Sequence, residues 1–153
     1  MIQIRRAKRQ DMEALAHLVT QLGYPSDRDQ IRRRISRLAP GQSAVLVATS
    51  GGDALGFVHV AVKVNIQIEP SADIAGLIVA ERVRGSGVGR ALMQAAEDWA
   101  LQHRCATVYV STNVMRRGAR SFYRRLGYEP VKESVVFSKR LPAEKPGVER
   151  CRH

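Results

Sequence analysis

Residues 77–92 read LIVAERVRGSGVGRAL, and this stretch decides how the rest of the chain is read. Leu77, Ile78 and Val79 form a short apolar run with strand character. Gly85, Gly87 and Gly89 then place three glycines in five residues. From Val88 the apolar positions recur at helical spacing, with Leu92, Met93, Ala96, Trp99 and Ala100 on one side. A strand that enters a helix through alternating glycines exposes backbone N–H groups at the positive end of a helix dipole. That arrangement suits a phosphate.

Two phosphate-binding signatures fail on residues. A P-loop needs Lys followed by Ser or Thr after the last glycine, whereas Arg90 and Ala91 follow Gly89. The dinucleotide fingerprint needs Gly-x-Gly-x-x-Gly in the first strand–helix unit, with an acidic residue about 20 positions later. Here the spacing is Gly85-x-Gly87-x-Gly89, halfway along the chain, and the acidic residue is missing.

Working outward, Ile2 and Ile4 alternate with polar neighbours as in a half-buried first strand. Asp11 can cap a helix carrying Met12, Leu15, Leu18, Val19 and Leu22, closed by Gly23. Ser26 or Asp27 can cap a second helix with Ile31, Ile35 and Leu38 inward and Arg28, Arg32, Arg33, Arg34 and Arg37 outward. Residues 44–49 and 54–64 read as strands joined by a Gly51-Gly52 hairpin. Residues 73–79 form a strand apolar on both faces, as in the centre of a covered sheet. The long helix runs from Val88 to about His103, a strand spans 106–111, a short helix 117–126, and one or two last strands 131–141. Residues 142–153 read as a disordered tail. The order predicts a single α/β domain over residues 1–141, a mixed sheet flanked by about four helices.

Composition narrows the function. The 153 residues carry a formal charge of +11 and 5% aromatics. The arginines are scattered and offer no stacking platform, which argues against a nucleic-acid partner. No apolar run approaches the roughly 18 residues that span a bilayer, and the first residues lack a secretory leader, so the expected location is the cytoplasm. Cys105 and Cys151 form neither a disulfide framework nor a metal pair, and Cys105 reads as a buried thiol. No metal site is expected.

Arg84-Gly-Ser-Gly87-Val-Gly89 matches the Arg/Gln-x-x-Gly-x-Gly/Ala signature of the GNAT superfamily of N-acetyltransferases. About thirty residues later ARSFYRRLGY, residues 119–128, resembles the second signature of the same superfamily. The element order matches as well, so the resemblance covers nearly the whole chain to about Leu141. The run STNVMRRGARSFY, residues 111–123, is similar to the branch with bacterial aminoalkylphosphonate and aminoglycoside 6′-type acetyltransferases. That branch commonly has histidine where this chain has Arg120.

The resemblance implies acetyl-CoA as donor and a primary amine, of a small molecule, as acceptor, with direct attack in a ternary complex. The pyrophosphate would lie on N–H groups of Gly85, Ser86, Gly87, Val88, Gly89 and Arg90, with Arg84 and Arg90 adding charge. Leu77, Ile78 and Val79 would hold the pantetheine arm as an extra strand, and the Val79 N–H would donate to the thioester carbonyl. Asn113, Ala119 and Phe122 would line the arm's other side, and Tyr123 would be the general acid at sulfur. Many relatives carry a carboxylate immediately before the Leu77 position, where this chain has Gly76. Asp73, Glu69 and His59 therefore stand as candidate bases. A protein N-terminus or lysine acceptor and a non-catalytic acetyl-CoA-binding regulator are the alternatives. The resemblance also implies a homodimer through the last strands.

Overall fold

The computed structural model describes residues 1–112 and 117–143. Five strands lie in spatial order β1-β2-β3-β4-β5: Gln3–Arg6, Ser43–Ser50, Asp53–Lys63, Ser71–Val79 and Val108–Val110. The first four pair antiparallel and the fifth joins β4 in parallel, so the sheet is mixed. Helices α1 (Met12–Gln21), α2 (Arg28–Ser36), α3 (Val88–Gln102) and α4 (Arg117–Arg125) cover it.

The two faces carry separate cores. Met12, Leu15 and Leu18 of α1 and Ile31 of α2 meet Val47, Phe57 and Ile78 on one face. Leu92, Met93, Ala96 and Trp99 of α3 meet Ala48, Val58, Val60 and Ile74 on the other, where Phe122 and Tyr123 of α4 also pack. Period-2 alternation along β3 produces this division: Phe57, His59 and Ala61 face α1 and α2, while Val58, Val60 and Val62 face α3. The β2–β3 turn places Gly51 at φ +58° and Gly52 at +88°, the pair of positive angles a tight two-residue hairpin requires.

Helix starts differ in detail from expectation. Asp27 caps α2, accepting the Gln30 N–H while the Gln30 side chain accepts the Asp27 N–H. Asp11 makes no such bond to α1. Its carboxylate is held by Arg5 at 2.7 and 2.9 Å and by the Lys8 N–H at 2.6 Å, tying β1 to the turn before α1.

Two strand expectations are corrected. The strand expected at 106–111 is the three-residue β5. Residues 131–141 form no strand, and Val135, Val136 and Phe137 are 79, 88 and 91% exposed. A strand needs a ladder partner, and β5 offers only three residues of edge. Residues 144–153 of the expected tail, Cys151 included, lie outside the described residues.

Candidate active site

The site begins where β4 loses a neighbour. β5 pairs with β4 only at Ala72, Asp73 and Ile74. The next residue, Ala75, is extra: Val60 lies opposite Ile74 and His59 opposite Gly76, so Ala75 forms a bulge at the point of separation. A bulge bends its strand away from a partner, and here it opens the sheet on the β5 side.

Beyond the bulge, Ala80 donates its N–H to Leu55 O at 2.8 Å. Main-chain groups alternate direction along a strand. The N–H and C=O of Leu77 and Val79 therefore aim at the opening, while those of Ile78, opposite Phe57, turn towards β3. Leu77 and Val79 can accept an amide-bearing arm as a substitute strand. Ile78, expected to share this role, spends its main chain on the sheet and its side chain in the core.

The loop after β4 supplies donors. A 3-10 turn at Glu81–Val83 leads into it. Arg84 N–H donates to Glu81 O and Ser86 N–H to Val83 O, each at 3.3 Å, and the Ser86 hydroxyl also donates to Val83 O. Among the described residues, the N–H groups of Gly85, Gly87, Val88, Gly89 and Arg90 have no internal acceptor. These open donors at the start of α3 fit a pyrophosphate. Ser86 is the exception, its N–H being used within the turn. Arg84 and Arg90 are exposed and make no ion pair among the described residues.

The glycines divide the labour. Gly85 at φ +80° and Gly87 at +92° adopt a backbone that side chains resist, with open space around each. Gly89 has an ordinary φ, but a Cβ there would stand 3.1 Å from Phe122 Cζ and 3.6 Å from Val79 Cγ2. It lets α4 approach α3 rather than shaping the loop.

That approach sets Tyr123 in place. Its ring meets Phe122 edge-on at 5.1 Å and Tyr128 at 5.9 Å. Tyr128 donates its hydroxyl to Glu97 on α3 at 2.8 Å, and burial together with that carboxylate pushes its pKa above the usual phenol value. Ala119 is half-buried on the same helix. Asn113 lies outside the described residues.

The three candidate bases occupy different ground. Glu69 is exposed in the loop before β4. Asp73 sits where β4 and β5 still pair and lies 3.7 Å from Lys63. His59 stands directly across from Gly76 at the bulge. Its Nε2 is 2.7 Å from Ser43 Oγ, and burial draws its pKa below the ordinary 6.5. Cys105 is buried, with its thiol pKa raised by desolvation, unlike an activated nucleophile.

Some features were not anticipated. Gly56, a glycine within a strand pattern, marks a close backbone contact, since its Cβ would lie 2.6 Å from Ile78 O; strand glycine is the signal that points to it. The Ala75 bulge has no comparable signal, because alanine is indifferent to it. A cavity of about 520 Å³ is lined by Gln30, Arg33, Arg34, Ser36 and Arg37, all from α2 or its end. None of these residues belongs to the β4–α3 site. Among the described residues no helix is long and apolar enough to cross a membrane, and no cluster of three or more His, Cys, Asp or Glu could hold a metal.

The chain is 31% identical over 146 residues to an aminoglycoside N(6′)-acetyltransferase type 1 of Stenotrophomonas maltophilia, covering 92% of this chain and 94% of that one. Among solved structures, AAC(6′)-Iy in complex with the bisubstrate analogue CoA-S-monomethyl-acetylneamine superposes with TM-score 0.79 at 23% identity, covering 92% and 99% of the two chains. A structure described as a transcriptional regulator from Bacillus halodurans C-125 superposes with TM-score 0.80 at 24% identity over 91% of this chain and all of that one. At such identities these two likenesses show the fold alone. The acetyltransferase (GNAT) family model matches residues 9–128, and the chain belongs to that family, as an enzyme that transfers an acetyl group from acetyl-CoA.

Proposed function

We propose that the protein transfers acetyl from acetyl-CoA to the primary amine of a small molecule, by direct attack with both substrates bound. The observation that carries this reading is the split edge of β4. Main-chain groups of Leu77 and Val79 face an opening beside five open N–H donors at the start of α3. A diphosphate on those donors and an amide arm along the strand bring a thioester to the open edge at Val79. There the Val79 N–H can stabilise the oxyanion. Tyr123, on the helix that closes against Gly89, is the proposed acid for the leaving thiolate.

Two acceptor classes have support. The name of the Stenotrophomonas relative favours an aminoglycoside. The charge of +11 and the basic face of α2 favour an anionic amine such as an aminoalkylphosphonate, because polycations are repelled by a basic protein. A screen of both classes, with lysine peptides included, would follow free CoA thiol in the native enzyme and in Tyr123→Phe. The expected result is turnover of a small amine, with a reduced kcat and unchanged acetyl-CoA affinity in the variant. Turnover of peptides alone refutes the small-molecule reading, and acetyl-CoA binding with no acceptor at all favours a regulatory module. Unchanged kcat in the variant removes Tyr123 as acid.

The proposed site of action is the cytoplasm, and the proposed assembly is a homodimer. Residues 131–141 carry exposed Val135, Val136 and Phe137, and β5 is the edge strand of the sheet, so a second copy could supply the missing ladder. Light scattering reads the mass directly.

A further inference from the structure

We infer that His59 is the base that takes the proton from the attacking amine, an inference resting on the N-acetyltransferase reading above. In an antiparallel pair, residues directly opposite hold their side chains about 5 Å apart. Opposite His59 stands Gly76, which has none. Among the described residues, a Cβ at Gly76 would meet only Phe57 Cε2 within 4 Å, at 3.9 Å. The space over Gly76 is thus open, bordered by the imidazole on one side and by the β4–β5 split on the other. An amine entering that space would lie beside the imidazole, with the thioester held at Val79 three residues further along the same strand.

The imidazole is held in place from β2. Its Nε2 is engaged with Ser43 Oγ on β2 at 2.7 Å, while Nδ1 has no partner among the described residues. The side chain is half-buried, beside the exposed bulge residue Ala75. On the same sheet face, Lys63 of β3 and Asp73 of β4 pair with each other at 3.7 Å, Arg5 of β1 pairs with Asp11 at 2.7 Å, and Tyr109 of β5 lies opposite Asp73. From β2 the facing groups are the hydroxyl of Ser43 and the apolar Val45, and the inward positions of α2 are Ile31 and Ile35. Among the described residues no carboxylate is paired with the ring to hold it protonated, and desolvation shifts its pKa in the direction of the neutral form.

The proton balance closes. The bound ammonium gives one proton to Nδ1, and its nitrogen then attacks the thioester carbon. As the C–S bond breaks, sulfur receives a second proton. The third hydrogen remains on the amide, and His59 returns its proton to water. Each turnover yields an amide, a thiol and one released proton.

The test uses the amine that the screen identifies. Rates against pH would be compared for the native enzyme, His59→Gln and His59→Gly supplemented with imidazole. Glutamine can keep the contact to Ser43 but cannot take up a proton. The expected result is a loss of about 10²–10⁴-fold in kcat for His59→Gln, with acetyl-CoA affinity retained. The native acid limb, lying below pH 6.5, would disappear, and imidazole would restore part of the rate to His59→Gly. An unchanged kcat with the same acid limb overturns the inference and leaves the acetyltransferase reading standing. A native enzyme that turns over no amine overturns both. Should the variants unfold, NMR titration of the four histidines in the native chain decides. A His59 midpoint away from the kinetic limb overturns the inference, and a coincident one supports it.

Discussion

Gly56→Ala tests the geometry of β4 from the far side. The new methyl would lie 2.6 Å from Ile78 O, 3.1 Å from Val79 Cα and 3.3 Å from Leu92 Cδ1. A carbon–oxygen contact relaxes at about 3.3 Å, so β3 and β4 must part locally by about 0.7 Å. Leu92 is fully buried and cannot swing aside. The neighbouring bond from Ala80 N–H to Leu55 O, now 2.8 Å, would stretch to about 3.5 Å, beyond useful geometry. Losing one or two ladder bonds costs about 1–2 kcal/mol, within the roughly 1–3 kcal/mol typical of overpacking. Removing glycine from a strand returns about 0.5–1 kcal/mol. The expected net loss is about 1 kcal/mol, a fall in Tm of roughly 2–4 °C for a chain of this size. Urea unfolding followed by the single tryptophan, Trp99, would show a lower midpoint at unchanged m-value. Activity should suffer more than stability. The displaced residue is Val79, and misplacing a reacting group by about 1 Å can cost about 10²-fold in rate. A variant as stable and as active as the native enzyme would refute the close approach and, with it, the placement of the Val79 N–H.

At Gly87, φ is +92° and nothing lies within 4 Å, so the penalty of Gly87→Ala is conformational and amounts to about 1–2 kcal/mol. Gly87→Asn should recover part of it, because asparagine tolerates this region; urea midpoints and acetyl-CoA titration compare the two. Asp11 is held by Arg5 and the Lys8 N–H, which lower its pKa from the ordinary value of 3.8. Its stabilising contribution is fully present above that value and lost as pH falls through the folded-state pKa. Asp11→Asn should therefore lower the urea midpoint at pH 7 and flatten its decline below about pH 4.

The parts of the fold legible in the sequence were those with a strong local rule. Leu15, Leu18, Leu92 and Trp99 follow the helical period, the Gly51-Gly52 pair marks its own turn, and Asp27 was one of two candidate caps for α2. The tight turn before α3 was legible in the glycine run, because positive φ at Gly85 and Gly87 is a property of glycine itself. Asp11 was misassigned since capping and ion pairing draw on the same carboxylate, and only the proximity of Arg5 decides between them. The β propensity of Val135, Val136 and Phe137 was real but insufficient, since pairing depends on an edge elsewhere. Gly89 looked like a third loop glycine and is a packing glycine, a distinction that requires knowing where Phe122 goes.

The proposed donor half of the site is made almost entirely of backbone: the edge of β4, the turn after it and the first turn of α3. Backbone geometry leaves a strong trace in sequence through glycine, which is why a signature of six residues identifies the family. The proposed acceptor half rests on Ser43, His59 and Gly76, brought together from β2, β3 and β4 with no fixed spacing in sequence. Its chemistry can vary while the donor half stays constant. The missing side chain at Gly76 gains meaning only beside His59, its partner across the ladder. A carboxylate added by Gly76→Glu would fill the same space from β4. If His59 is the base, that substitution should raise the imidazole pKa by placing a negative charge opposite it. The native acid limb would then move to higher pH, so that activity near pH 6 falls even though a second potential base has been introduced.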